Sequence, residues 1–83
     1  MESNEKQTIN IGEILKELRK ERQISQEELA YQSNLDRTYI SMLERNIKQP
    51  TITTIFALAH ALNVKPSTLI RIVEEKFPNY KPR

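Results

Sequence analysis

The chain of 83 residues has no cysteine, one histidine and one glycine. Without cysteine there is no disulfide and no thiolate metal site. The lone histidine, His60, sits mid-helix with no Cys or paired Asp/Glu at ligand spacing, so it suits packing or surface better than metal binding. A single glycine, Gly12, leaves no glycine-rich phosphate loop. Enzyme chemistry, a cofactor and a metal are therefore not expected. No apolar run approaches the ~20 residues of a membrane span. The polar start MESNEKQTIN carries no hydrophobic signal segment, so the expectation is a cytoplasmic chain with no membrane partner.

Repeats, low-complexity tracts and strand-like alternation are absent too, which leaves helices. A chain of this length forms one domain and buries only ~60% of its unfolded surface, so dimerisation is a natural way to gain core. The net charge of +2 identifies no partner by itself, but its distribution is uneven. Residues 1–35 hold five basic against seven acidic residues, whereas Arg37 to Val73 hold five basic residues (Arg37, Arg45, Lys48, Lys65, Arg71) against one acid, Glu44. Positive charge gathers in the second half, as on a phosphate-facing surface.

Residues 1–9 read as a flexible segment, 10–77 as the folded domain and 78–83 as a short basic tail. Asn10 with Glu13 has the spacing of a capping box, and Ile11, Ile14, Leu15 and Leu18 mark a helical stripe ending near Arg22. Ser25 with Glu28 repeats the box and opens a short helix carrying Leu29 and Ala30, which runs out near Ser33. Asn34 tolerates the left-handed conformation that a tight reversal needs. Leu35 suits a plug in the turn, and Asp36 an N-cap for the next helix. That helix turns Ile40 and Leu43 to one face and Arg37, Thr38, Ser41, Met42 and Arg45 to the other. Thr51 caps a fourth helix burying Ile55, Leu58, Ala59 and Leu62; Asn63 and Val64 turn the chain; Pro66 starts a fifth helix that Pro78 ends. The fold class is all-α, a compact five-helix domain.

The stretch QEELAYQSNLDRTYISMLERN resembles the helix-turn-helix of the phage repressor and Cro (XRE) family, and SNLDRTYISMLERN is similar to the restriction–modification controller proteins. The resemblance implies a homodimeric, sequence-specific transcription regulator that places its recognition helix in the major groove of double-stranded DNA at a palindromic operator. RNA polymerase is a further candidate partner. A phage-type or developmental repressor and an antitoxin are alternatives within the same chemistry. A protein-interaction module without DNA binding fits less well, because the outer face of the second motif helix is polar and basic.

On this footing Arg37 is the first candidate base reader, since a guanidinium can grip a guanine edge bidentately. Thr38, Ser41 and Met42 join it. Tyr39 is assigned with them, with packing against the first motif helix equally open. Gln26, Arg45, Asn46 and Lys48 are assigned to phosphates. By resemblance, Arg19 and Glu44 form an internal ion pair. Relatives often carry glycine where this chain has Gln23, which implies a strained turn or a different helix exit. In the fifth helix Leu69, Val73 and Phe77 make one stripe, Ile72 lies beside it and Ile70 opposite. Val64, Leu69, Ile72, Val73 and Phe77 are assigned to an isologous dimer interface, unless the tail from Pro78 to Tyr80 folds back over it.

Overall fold

The computed structural model describes residues 8–82, and most of the segment expected to be flexible lies outside the described residues. Among the described residues there are five helices and no strand: α1 (Gly12–Glu21), α2 (Gln26–Ser33), α3 (Arg37–Glu44), α4 (Ile52–Ala61) and α5 (Pro66–Lys76). None is long and apolar enough to cross a membrane.

Helix α2 sits centrally, packing on α3 and α4, while α1 braces α3 and α5 braces α4. The core draws on every helix, with Leu15, Leu29, Ile40, Leu43, Leu58, Leu62 and Leu69 fully enclosed. These are the inward stripes expected from helical periodicity. Ile11 and Ile14 are buried with them, and Leu18 and Leu35 pack at the margin.

Helices α1 to α4 end in one way. Gln23, Asn34, Asn46 and Asn63 adopt φ of 58°, 58°, 62° and 59°. An aliphatic residue follows each, and its N–H closes back onto a carbonyl: Ile24 to Arg19 at 3.2 Å, Leu35 to Ala30 at 2.9 Å, Ile47 to Met42 at 2.8 Å and Val64 to Ala59 at 2.9 Å. These are Schellman closures, in which the left-handed residue frees the chain to leave and the aliphatic one covers the helix end. Asparagine supplies three of the four turns. Gln23 lacks a short side chain able to bond locally and bears a left-handed strain of about 1 kcal/mol. The strained turn, rather than a different exit, is therefore what the structure adopts.

Capping departs from expectation in three places. Ser25 Oγ accepts the Glu28 N–H at 3.0 Å, but the Glu28 carboxylate turns instead to Gln32 Nε2 at 2.6 Å, so only half of that box forms. Asp36 stands at the N-cap of α3 without a side-chain hydrogen bond. The Asn10–Glu13 box does not form: the N-cap of α1 is Ile11, and Asn10 Oδ1 accepts from Gln49 Nε2 at 3.2 Å. Thr51 does cap α4, accepting the Thr54 N–H at 3.0 Å.

The surface of α5 also differs. Leu69 is 1% exposed and Val73 9%, so both are spent on the chain's own core and can offer little to a partner. Ile72 and Phe77 are half-buried against that core. The exposed apolar side chain is Ile70, at 45%. The tail turns back at Phe77, where Tyr80 N donates to Phe77 O at 3.3 Å; Pro78 and Tyr80 border a hollow with Ile9, Ile70 and Val73 without covering Ile70.

Candidate nucleic-acid interface

Helices α2 and α3 with the turn between them form a helix-turn-helix. Asn34 makes the reversal and Leu35 lies against the core. Ser33 Oγ donates to Leu29 O at 2.7 Å, so this buried hydroxyl is satisfied within its own helix. Ile40 and Leu43 are fully buried, which fixes how α3 is rotated. The helix therefore presents Arg37 and Thr38 to solvent, with Ser41 and Met42 half-buried beside them. Tyr39 is half-buried against the core, so at least part of its ring is used in packing.

Arg37, Ser41 and Arg45 succeed one another at four-residue spacing, and Arg45 Nε donates to Ser41 Oγ at 3.2 Å. One of the two acceptor lone pairs of the Ser41 oxygen is thereby used, and its hydroxyl hydrogen remains for a base or phosphate. Arg45, Asn46 and Lys48 are all exposed in the turn beyond α3.

Glu44 faces the other way. Its side chain is 1% exposed, and Arg19 holds it with Nε to Oε2 at 2.7 Å and Nη2 to Oε1 at 3.1 Å. Arg19 Nη1 donates also to Ile24 O at 3.0 Å. Burial pushes the Glu44 carboxyl up, but hydrogen bonds from Arg19 and Gln26 and the charges of Arg19 and Lys16 outweigh it, and the group ends below its ordinary value. The Arg19 guanidinium is correspondingly raised, chiefly by its hydrogen bond to Glu44. Neutralising Glu44 internally removes the one acid from the Arg37–Val73 stretch, so the face it leaves is cationic.

Gln26 Nε2 donates to Glu44 Oε1 at 2.9 Å, so its side chain ties α2 to α3. For a phosphate, Gln26 then offers its backbone N–H at the helix start. Glu27 and Glu28 in the same first turn oppose an anion there. Asn46 is engaged as well: its Oδ1 accepts the Gly12 N–H at 2.9 Å.

Two features escaped the sequence reading. The first is this Asn46–Gly12 contact, between residues too far apart in the chain for a local pattern to reveal it. The second is an apolar face on α4 and α5. Ile52, Phe56 and His60 repeat at four-residue spacing on the side of α4 away from the core, and Ile52 is 68% and Phe56 58% exposed. Phe56 shares a groove with Pro66 and Ile70 of α5. The Ile52–Phe56 spacing was the available signal.

A sequence profile of the helix-turn-helix family matches residues 15–69. The immunity repressor protein of Bacillus phage phi105 is 31% identical over 78 residues, covering 90% of this chain and 54% of the repressor. The chain thus spans about half the length of that relative. The crystal structure of the restriction-modification controller protein C.AhdI from Aeromonas hydrophila is similar at a TM-score of 0.69 and 39% identity, covering 74% of this chain and 92% of that one. The structure of C.Esp1396I bound to a 19 base pair DNA duplex is similar at a TM-score of 0.74 and 36% identity, covering 81% and 89%. The two resemblances read from the sequence, to phage repressors and to controller proteins, both reappear here.

Proposed function

The chain belongs to the helix-turn-helix family, and from that premise we propose that it is a sequence-specific DNA-binding regulator of transcription, a homodimer on a palindromic operator, of the restriction–modification controller kind. The carrying observation is the outward face of α3: Arg37 and Thr38 stand exposed at its N-terminal end, where a recognition helix meets base edges in the major groove. Arg45 and Lys48, exposed at its other end, supply cations for the flanking phosphates. The resemblance to a controller protein solved on DNA supports the same use of the surface. The controller reading is preferred to the phage repressor because the identity is 39% to C.AhdI and 31% to the phage protein.

The dimer is assigned to the groove of Phe56, Pro66 and Ile70, with Val64 at its edge. Two large apolar side chains flank that groove, and a two-fold would bury both twice. Such a protein works in the cytoplasm, without catalysis, and meets RNA polymerase at the promoter as its second partner.

Selection of duplexes from a random pool, followed by footprinting and titration in salt, tests the reading. Half-site centres should lie about 34 Å apart, one helical turn. Arg45 and Lys48 from two subunits make about four neutralised phosphates, and at ~0.9 per phosphate the logarithmic salt slope is about −4. A footprint over one half-site, or a slope near −2, contradicts the symmetric dimer.

A further inference from the structure

We infer that Gly12 and Asn46 are positioning residues for DNA recognition: by joining the start of α1 to the end of α3, they set where the recognition helix and the loop after it stand on the duplex. The inference rests on the DNA-binding reading and concerns the same surface.

Gly12 is the first residue of α1, so its N–H has no partner within the helix. The residue before it, Ile11, has no side-chain acceptor. The partner comes instead from Asn46, whose left-handed conformation lets its Oδ1 meet that N–H at 2.9 Å. The approach is close enough to require glycine. A Cβ at position 12 would collide with the Glu44 backbone carbonyl and come within 2.5 Å of Asn46 Oδ1. A second bond, Gln49 Nε2 to Asn10 Oδ1 at 3.2 Å, holds the far end of the same loop against the same helix start. Arg45 and Lys48 thus extend from a segment tied at Asn46 and at Gln49.

Asn46 was assigned to a phosphate, and its exposed amide NH2 group remains a donor. That contact is one neutral hydrogen bond, weaker than those of the adjacent Arg45 and Lys48. The engaged carbonyl does more, because α3 has eight residues and its two ends move together. A shift at Glu44–Asn46 displaces Arg37 and Thr38 from the base edges, which a recognition contact tolerates only to about 0.5 Å. Loss of the tie therefore weakens binding to the chosen sequence more than binding to DNA in general.

The test measures affinity for a duplex selected by the parent chain and for a random-sequence duplex, at one salt concentration and a temperature where circular dichroism shows each variant folded. Gly12→Ala and Asn46→Gly should lower the selected-to-random ratio about tenfold, the worth of one base contact. Asn46→Asp keeps both the acceptor and the turn; its charge should weaken both duplexes together and leave the ratio within about twofold. Gly12 is the only glycine of the parent chain, so labelled glycine gives one amide signal there and in Asn46→Asp, and a second one, from position 46 and assigned separately, in Asn46→Gly. The Gly12 amide should be protected from exchange in the parent and in Asn46→Asp and lose protection in Asn46→Gly. An unchanged ratio in both Gly12→Ala and Asn46→Gly overturns the inference. So does an equal loss in Asn46→Asp and Asn46→Gly, because the amide NH2 group would then be touching DNA itself. A parent chain that prefers no sequence removes the DNA-binding reading, and the Gly12 amide still reports separately whether the tie exists.

Discussion

Removing either partner of the Arg19–Glu44 pair should unfold much of the protein, and removing both should not. The Arg19 side chain is 13% exposed and that of Glu44 1%, so water screens this pair far less than one on the surface. Arg19→Met leaves the Glu44 carboxylate enclosed with only Gln26 bonded to it; Glu44→Leu leaves the guanidinium with the Ile24 carbonyl. Stranding a buried charge costs ~3–5 kcal/mol. The stability of a domain this size is about 4–12 kcal/mol. Each single change should therefore lower Tm by at least about 12 °C, at ~4 °C or more per kcal/mol. The double variant Arg19→Met/Glu44→Leu exchanges the pair for apolar volume and should recover most of the summed loss of at least about 6 kcal/mol, giving a coupling energy of about 5 kcal/mol or more. Urea and thermal unfolding of the four proteins measure the cycle. Single losses below ~1 kcal/mol, the value of an exposed pair, or a double variant as damaged as the two singles summed, would refute the reasoning.

The same pair sets an acid response. The folded Glu44 carboxyl lies below its ordinary value, so its contribution is complete above the usual carboxylate range and is lost as pH falls through the lowered folded value. Melting from neutral to acid pH should show that loss in the parent and not in the double variant. Arg37→Ala should cost ~1–3 kcal/mol on the selected duplex and relax preference at one base pair per half-site, while Lys48→Ala should weaken all sequences alike and make the salt slope shallower by about 2 per dimer; equal losses on selected and random DNA from both changes would remove Arg37 as a base reader. Phe56→Glu should give a folded monomer in sedimentation, and a dimer that survives it would move the interface elsewhere. Gln23→Gly should raise stability by up to about 0.6 kcal/mol, the left-handed strain relieved less the added unfolded-state entropy; a lower Tm would show that Gln23 contributes a contact which glycine cannot.

Local pattern in the chain sets the helices, their inward stripes and most of their ends. Those are local matters: 3.6-residue periodicity puts Ile14, Leu15, Leu29, Ile40, Leu43, Leu58 and Leu62 on inner faces, and Asn34, Asn46 and Asn63 mark where the chain can turn left-handed. The outward face of α3 was legible for the same reason, since knowing which residues are buried on a short helix fixes which are not. The tertiary structure alone decided how polar groups are satisfied across the chain. Asn10 and Glu13 have capping spacing, yet Gly12 takes its acceptor from Asn46 and Asn10 Oδ1 accepts from Gln49, both partners brought by folding from far along the chain. Gln26 similarly gave its amide to Glu44 once α2 and α3 were packed. On α5 a stripe such as Leu69–Val73 looks the same in sequence whether it covers its own core or another subunit. Only the packing of α5 on α4, which consumes Leu69 and Val73 and leaves Ile70 beside Phe56, separates the two.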